Sequence, residues 1–215
     1  MGYNEIKRLF DFSLACFLLF CSLPVFFAVF ILVFVTSEGG AFYSAERIGF
    51  RGRRFKMYKF RTMIKNADKK GGFSVSTNDE RVTKIGKILR KTKVNELPQL
   101  FNVFKGDMSF VGPRPEVSFY TDRFNEEEKK ILEVLPGITD FSSIKFSNEA
   151  EILERSNIKD KEKAFEIEIW PEKKRLQLRY VKVKSFFVDF KILMNTFREL
   201  CKNQSSLIRS LKIIS

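Results

Sequence analysis

The sequence predicts an α+β protein, mostly helical, with an N-terminal re-entrant membrane helix, a small β element and amphipathic interfacial helices. Three observations predict it. The run Phe12–Val35 holds no charged residue and exceeds the ~20 residues that cross a bilayer core. Phe55-Lys56-Met57-Tyr58-Lys59-Phe60-Arg61-Thr62-Met63 alternates apolar and basic residues, imperfectly, at the period of a strand. Val183–Leu200 carries Phe186, Phe187, Phe190, Leu193, Met194 and Phe197 close to helical spacing.

Basic residues flank the apolar run on both sides. Lys7 and Arg8 precede it; Arg47, Arg51, Arg53, Arg54, Lys56, Lys59 and Arg61 follow it. Cationic flanks stay on the cytoplasmic side. One straight crossing satisfies only one flank, whereas a helix that enters and leaves on the same face satisfies both. Pro24 sits near the middle, where a proline removes a backbone donor and bends a helix. Ser22 is placed to hydrogen-bond a freed carbonyl in lipid. A single span and a cleaved signal peptide stay open as other readings, although a signal peptide has a shorter apolar core of about 7–15 residues. The expected division is a membrane helix over 1–38, a cytoplasmic domain over 39–200 and a basic, apolar tail over 201–215.

Along the rest of the chain, Thr36–Gly40 is a polar turn in which Gly39-Gly40 stops the helix. Ala41–Ile48 is a short strand preceding the basic one. Lys69–Asn78 is a loop rich in Lys, Gly and Ser. Asp79-Glu80 opens a helix with negative charge in its first turn, running to about Arg90. Asn95 reads as an N-cap, with Glu96 and Pro98 behind it and Leu97 and Leu100 facing a core. Glu126–Leu135 is a short charged helix ended by Pro136-Gly137. Asn148–Lys163 is solvated helix and loop, and Pro171 breaks Ala164–Tyr180. Val183–Leu200 is either a core helix or an interfacial one, and Leu207–Ile214 lies on a membrane or frays.

With 215 residues the chain is long enough for one domain with a core plus a membrane element. Its net charge of +13, from 39 Lys+Arg against 26 Asp+Glu, attracts nucleic acid, anionic headgroups or phosphate-bearing substrates. There is no histidine, which excludes imidazole base catalysis, Ser-His and Cys-His pairs and histidine-ligated metals. Acid–base work falls to carboxylates, Lys, Tyr or Cys. Cys16, Cys21 and Cys201 are too scattered for a disulfide framework or a zinc site. Aromatics interleaved with cations also suit single-stranded nucleic acid, but no nucleic-acid motif accompanies them and the apolar anchor argues against that partner.

The basic strand reads either as a membrane-hugging face or as a phosphate-binding wall, with bidentate guanidinium groups and Lys59 as a point charge. Gly112-Pro113-Arg114-Pro115 is a rigid turn that fixes Arg114. A fixed arginine beside acidic residues suits a diphosphate site with a divalent cation. A helix start at Asn95-Glu96 is also a natural anion site.

The stretch Lys91-Thr92-Lys93-Val94-Asn95-Glu96-Leu97-Pro98-Gln99-Leu100, with Gly106-Asp107-Met108-Ser109-Phe110-Val111-Gly112-Pro113-Arg114-Pro115, closely resembles the signature of the bacterial sugar transferase family. The resemblance runs from Lys7 to about Leu193 and is strongest over Phe55–Met63 and Thr83–Pro115. The start Lys7-Arg8-Leu9-Phe10-Asp11 and the segment Pro136-Gly137-Ile138-Thr139 match as well. Where the family breaks its re-entrant helix at Ser-Pro, Leu23 precedes Pro24 here and the serine stands one place earlier. Asp140-Phe141-Ser142-Ser143-Ile144 departs from the more usual Gly-Trp-Ala-Gln-Val, in a region tied to sugar selection.

The resemblance implies a monotopic phosphoglycosyl transferase at the cytoplasmic face of a bacterial inner membrane. Such enzymes move a sugar-1-phosphate from a UDP-sugar to undecaprenyl phosphate and so start a lipid-linked exopolysaccharide, capsule or O-antigen. Mg2+ is the implied cofactor. The implied partners are the UDP-sugar, undecaprenyl phosphate and membrane lipids, with a second copy or glycan-assembly proteins as further candidates. In the family an aspartate attacks the phosphorus bearing the sugar, UMP leaves, and the polyprenyl phosphate attacks the resulting ester; a neighbouring glutamate helps hold magnesium. On this chain Asn95 takes the nucleophile position and Glu96 the metal and acid–base position, with Asp107 a second metal candidate. Arg114 would hold phosphate, supported by Lys59, Arg61 and Arg90. An amide is a poor nucleophile. Three routes stay open: attack by Glu96, direct attack by the lipid phosphate, or a non-catalytic relative acting as a membrane scaffold.

Overall fold

The computed structural model describes residues 2–212, the side chains at 68 and 203–212 excepted. Helix α1 (Tyr3–Thr36) leads into an antiparallel hairpin of β1 (Phe42–Ile48) and β2 (Arg54–Phe60). Then follow α2 (Lys84–Lys91), a 3-10 turn over Val94–Glu96, α3 (Gln99–Lys105), β3 (Ser109–Val111) and α4 (Ser118–Thr121). After a 3-10 turn over Glu128–Glu133 come β4 (Gly137–Thr139), α5 (Phe141–Lys145), α6 (Glu149–Arg155), α7 (Lys161–Ala164), α8 (Trp170–Val183) and α9 (Phe186–Lys212). β3 and β4 pair in parallel, Ser109 with Gly137 and Val111 with Thr139. The α+β reading holds, with few and short strands.

α1 is one helix through Pro24, and Gly39 and Gly40, both at positive φ, turn the chain out of it. The Ser22 hydroxyl donates to the Leu19 carbonyl at 3.3 Å; the carbonyl that Pro24 deprives of its helical donor is that of Phe20, four residues back. The expected polar repair is therefore displaced by one residue. Both halves of α1 lie on the same body. Before Pro24, Arg8 donates to the carbonyls of Val103 (2.6 Å) and Phe104 (2.8 Å) at the C-terminal end of α3, and Ala15 packs with Leu100, Val103 and Met108. After it, Val29 and Val33 pack with Phe60 and Leu89. The opposite side of α1 presents Phe17, Phe20, Leu23, Phe27, Ile31 and Phe34 to the surroundings.

The hairpin is covered on both faces, which blurs its period-two signal. Met57 is buried among Leu100 and Val103, and Phe60 among Val29, Val33 and Leu89. The free edge of β2 is met by a side chain: Asn102 accepts from the Tyr58 amide at 3.0 Å and donates to the Lys56 carbonyl at 2.7 Å.

Three local expectations are corrected. The helix expected from Asp79 starts at Lys84, capped by the Thr83 hydroxyl on the Gly86 amide (2.9 Å). Asp79 instead accepts from the amide and guanidinium of Arg81, a side-chain bond that competes with helix. Asn95 does not cap a helix; it lies inside the 3-10 turn, and Pro98 stands at the start of α3. Pro171 breaks nothing. Helical structure continues from α7 through a π-helical stretch, Phe165–Ile169, into α8. The wider π turn just before it accommodates the proline ring and its missing donor.

α9 settles the choice left open for its sequence. Asp189 and Ile192 are buried, whereas Phe186, Phe187, Phe190, Met194 and Phe197 are exposed, Phe187 by 81%. A helix docked by one side with an outward aromatic stripe is not a fully buried core helix, and such a stripe is what an interfacial helix presents. The helix continues past residue 200 to Lys212, and the reading of 207–214 falls on side chains and terminal residues outside those described.

The crossover from β3 to β4 is tight at Gly112, where an added Cβ would sit 2.3 Å from the Leu135 carbonyl oxygen. Gly112→Ala is expected to lose about 2–3 kcal/mol of stability, read as a lowered midpoint in denaturant or heat; an unchanged midpoint would mean that the crossover relaxes freely.

Candidate active site

Two elements bring charge to Glu96. The 3-10 turn after α2 carries it, entered through Lys93 in the left-handed conformation (φ 59°). β2 supplies Lys59, whose ammonium donates to Glu96 Oε1 at 2.9 Å. The turn after β3 supplies Arg114, whose Nη2 donates to the same oxygen while Nη1 donates to the Ile138 carbonyl at 3.0 Å. Both cations thus share Oε1 and leave Oε2 out of either bond.

The segment carrying Arg114 is fixed along its length. The Gly112 amide donates to the Thr139 carbonyl (3.0 Å), the Gly137 amide to the Pro113 carbonyl (3.0 Å) and the Ile48 amide to the Glu116 carbonyl (2.9 Å). The Gln177 side-chain amide donates to the Arg114 carbonyl (3.2 Å). Behind it, the buried Lys173 ammonium bridges Glu116 (3.0 Å) and Glu149 (3.4 Å). Burial lowers the proton affinity of Lys173, and the two carboxylates reverse this, leaving it firmly cationic.

Electrostatics follow from this packing. Burial pushes the Glu96 carboxyl up, but Arg114, Lys59 and Lys93 outweigh it and hold the group far below the usual carboxylate range, so it is ionised. Burial brings Lys59 down to about 8; Glu96 opposes that fall and Arg114 adds to it. Lys93 is likewise lowered by burial. The site is a cationic pocket around one carboxylate, suited to a phosphate or diphosphate.

The other expected residues are placed as follows. Arg90 donates to the Thr62 hydroxyl at 2.8 Å and feels the Glu96 charge without touching it. Arg61 donates to the carbonyls of Gly39, Gly40 and Phe42, bracing the turn that leaves α1. Asp107 lies past the C-terminal end of α3, about 10 Å along the helix from its Glu96 end, and accepts from the Asn102 amide at 3.3 Å. The structure does not bring it to Glu96. Asn95 is buried, 7% exposed, and its Oδ1 has no hydrogen-bond partner among the described residues; the same holds for both amide atoms of Gln99.

Among the described residues no three Cys, Asp or Glu side chains converge on one point. Glu96 Oε2 is a hard oxygen donor of the type Mg2+ takes, and Mg2+ is commonly held by one or two carboxylates plus substrate phosphates. The residues present fit that pattern, with Glu96 as the protein's contribution.

Sequence reasoning missed three contributors: Lys93, Arg47 and the Glu116–Lys173–Glu149 cluster. Arg47 was legible in principle. The register Tyr43↔Lys59 and Arg47↔Phe55 places it on the Lys59 face of the hairpin, since residues two apart share a face. Lys173 and Glu149 come from remote helices, and no local pattern marks them.

Because Lys59 carries its charge only below about pH 8, affinity for a diphosphate ligand is expected to fall as pH rises through that value. Titration of UDP binding between pH 6.5 and 9.5 checks this, and Lys59→Arg is expected to flatten the decline; a flat wild-type profile would remove Lys59 from ligand binding.

A family profile described as bacterial sugar transferase matches residues 2–203. An uncharacterized sugar transferase, EpsL, of Bacillus subtilis is 37% identical over 195 residues, covering 91% of this chain and 87% of its own. A putative undecaprenyl-phosphate N-acetylgalactosaminyl 1-phosphate transferase of the same organism is 43% identical over 137 residues, covering 64% of this chain and 73% of its own. A UDP-N-acetylgalactosamine-undecaprenyl-phosphate N-acetylgalactosaminephosphotransferase of Aeromonas hydrophila is 37% identical over 145 residues, covering 66% of this chain and 34% of its own. With its cationic pocket around Glu96, its membrane-directed α1 and a match over nearly its whole length, the chain belongs to the bacterial sugar transferase family.

Proposed function

We propose that this protein transfers a sugar-1-phosphate from a UDP-sugar to undecaprenyl phosphate, starting a lipid-linked surface glycan at the cytoplasmic face of a bacterial inner membrane. The observation that carries the reading is the Glu96 carboxylate held between Lys59 and Arg114 on a body whose α1 and α9 present apolar surface. Relatives named as transferases acting on undecaprenyl phosphate support it, and no comparison favours a scaffold. α1 touches one body along both halves. A straight crossing of a ~30 Å hydrocarbon core would carry one half away from that body, which supports a helix that enters and leaves on one side.

The cationic pocket binds the donor's diphosphate, and Lys59 and Arg114 stabilise charge that grows on the departing group. Glu96 would be the protein's ligand to a Mg2+ ion, which would supply further neutralisation of that charge. Asn95 offers no carboxylate, and Glu96, ionised and paired with two cations, is weakly basic and weakly nucleophilic. The transfer is therefore a single displacement. An oxygen of the lipid phosphate attacks the phosphorus bearing the sugar, the bond to the bridging oxygen breaks, and UMP leaves with the electron pair.

The test is UMP release in nanodiscs with a panel of UDP-sugars, undecaprenyl phosphate and Mg2+. Wild type is expected to release UMP only when lipid is present, and Glu96→Gln to lose about 100-fold in turnover. Asn95→Asp is expected to gain a lipid-independent burst of UMP equal to the enzyme present. Absence of UMP release with every donor sinks the reading, and a burst in the wild type sinks the single displacement.

A further inference from the structure

β3 is short and pairs with β4 on one edge only, yet it carries the segment that ends in Arg114. Its remaining backbone groups are met by side chains from the other side. Asp11 on α1, 1% exposed, accepts from the Phe110 amide at 3.2 Å. The Tyr180 hydroxyl, in the last turn of α8, lies 3.1 Å from the Val111 carbonyl oxygen and 2.8 Å from Asp189 Oδ1, its one proton shared between the two acceptors. Asp189, in the first turn of α9, takes Tyr3 (2.8 Å) and Lys7 (2.7 Å) of α1 on its other oxygen. One buried carboxylate thus joins the start of α1, the end of α8 and the start of α9, and through Tyr180 it reaches the residue three places before Arg114.

This arrangement is more than helix packing. An apolar junction would hold the three helices equally well, and burying an ionised group without full hydrogen bonding costs stability. Here the bonds of the cluster link α1, α8, α9 and β3.

We infer that Asp189 and Tyr180 are positioning residues for Arg114, coupling the fine placement of the phosphate-binding arginine to the seating of α1 against α9. The inference rests on the proposed transferase activity. The bonds at Gly112, Pro113, Arg114 and Glu116 hold the turn after β3, and Tyr180 fixes the strand that leads into it. When the Tyr180–Val111 bond is lost, the same backbone still folds but β3 shifts relative to α8, and the guanidinium is aligned less well on the diphosphate. The loss appears as a weaker hold on the donor.

Tyr180→Phe and Asp189→Asn are compared with wild type in nanodiscs for UMP release and for melting temperature. Leu153→Val, a single-methylene deletion in the cluster around Trp170, serves as the stability control. A purely structural loss lowers the amount of active enzyme, and so the turnover, without moving KM. Misplacement of Arg114 is expected to raise the donor KM about tenfold in both variants, with no further rise when Tyr180→Phe is added to Arg114→Lys. The control is expected to keep the wild-type KM. A wild-type KM in both variants overturns the inference while the transferase reading stands; a wild type that releases no UMP removes both.

Discussion

The constraint on which the rest of this structure depends is one carboxylate oxygen shared by two cations from opposite sides. Glu96 Oε1 receives Lys59 from β2 and Arg114 from the turn after β3. Neither strand belongs to the other's sheet, and each sheet has only two strands. Two-stranded elements are marginal by themselves, so each must be held by what surrounds it. The hairpin is held by α1, by the two core clusters and by the Asn102 side chain along its edge. β3 is held by β4, Asp11 and Tyr180. The helices therefore set the distance between two cations that the strands alone would not fix.

The same logic explains why charge is buried here at all. A carboxylate and its partners gain little over an apolar core of the same volume, and removing one partner is costly because the others are stranded. A pocket with three cations, Lys59, Lys93 and Arg114, around one carboxylate is not the arrangement that maximises stability. It is one in which an incoming phosphate completes the balance. The depressed proton affinity of Lys59 expresses the same surplus: burial and the neighbouring guanidinium both disfavour its charge, and one carboxylate does not fully offset them.

Much of this was legible in the sequence because the informative signals are local. The uncharged run, the Gly-Pro-Arg-Pro turn and the basic strand each announced themselves, and Lys59, Glu96 and Arg114 do meet. What was not legible has physical causes. Arg61 looked like Lys59 at a distance of two residues, but it lies beside the chain's exit from α1, where three carbonyls take its guanidinium. Asp107 is near Glu96 in sequence and is carried away by the length of α3. Asp79 resembled a helix start, yet a nearby Arg81 captured its carboxylate. Pro171 resembled a break, yet a π turn absorbed it. For Arg61, bonds to carbonyls remote in sequence decided the outcome; for Asp79 it was a side chain two residues on, and for Asp107 and Pro171 the path of the helix itself.

Asn95 changes the charge of the pocket. The residue is buried, its side-chain oxygen has no partner among the described residues, and it stands beside an ionised glutamate. An aspartate there would place a second negative charge next to the first in a poorly solvated turn, and like charges so close raise each other's proton affinity. The amide avoids that repulsion, so Glu96 stays ionised and both cations stay committed to one acid. The surplus positive charge then falls on the bound polyanion. Stronger ground-state attraction accelerates a transfer only in so far as it grows in the transition state. In a single displacement between two phosphates, negative charge gathers on the leaving UMP and the attacking phosphate brings its own, so a pocket with one fewer carboxylate stabilises both. The amide is consistent with a site that brings two anions together, and it cannot serve one that must first bond to the substrate through residue 95.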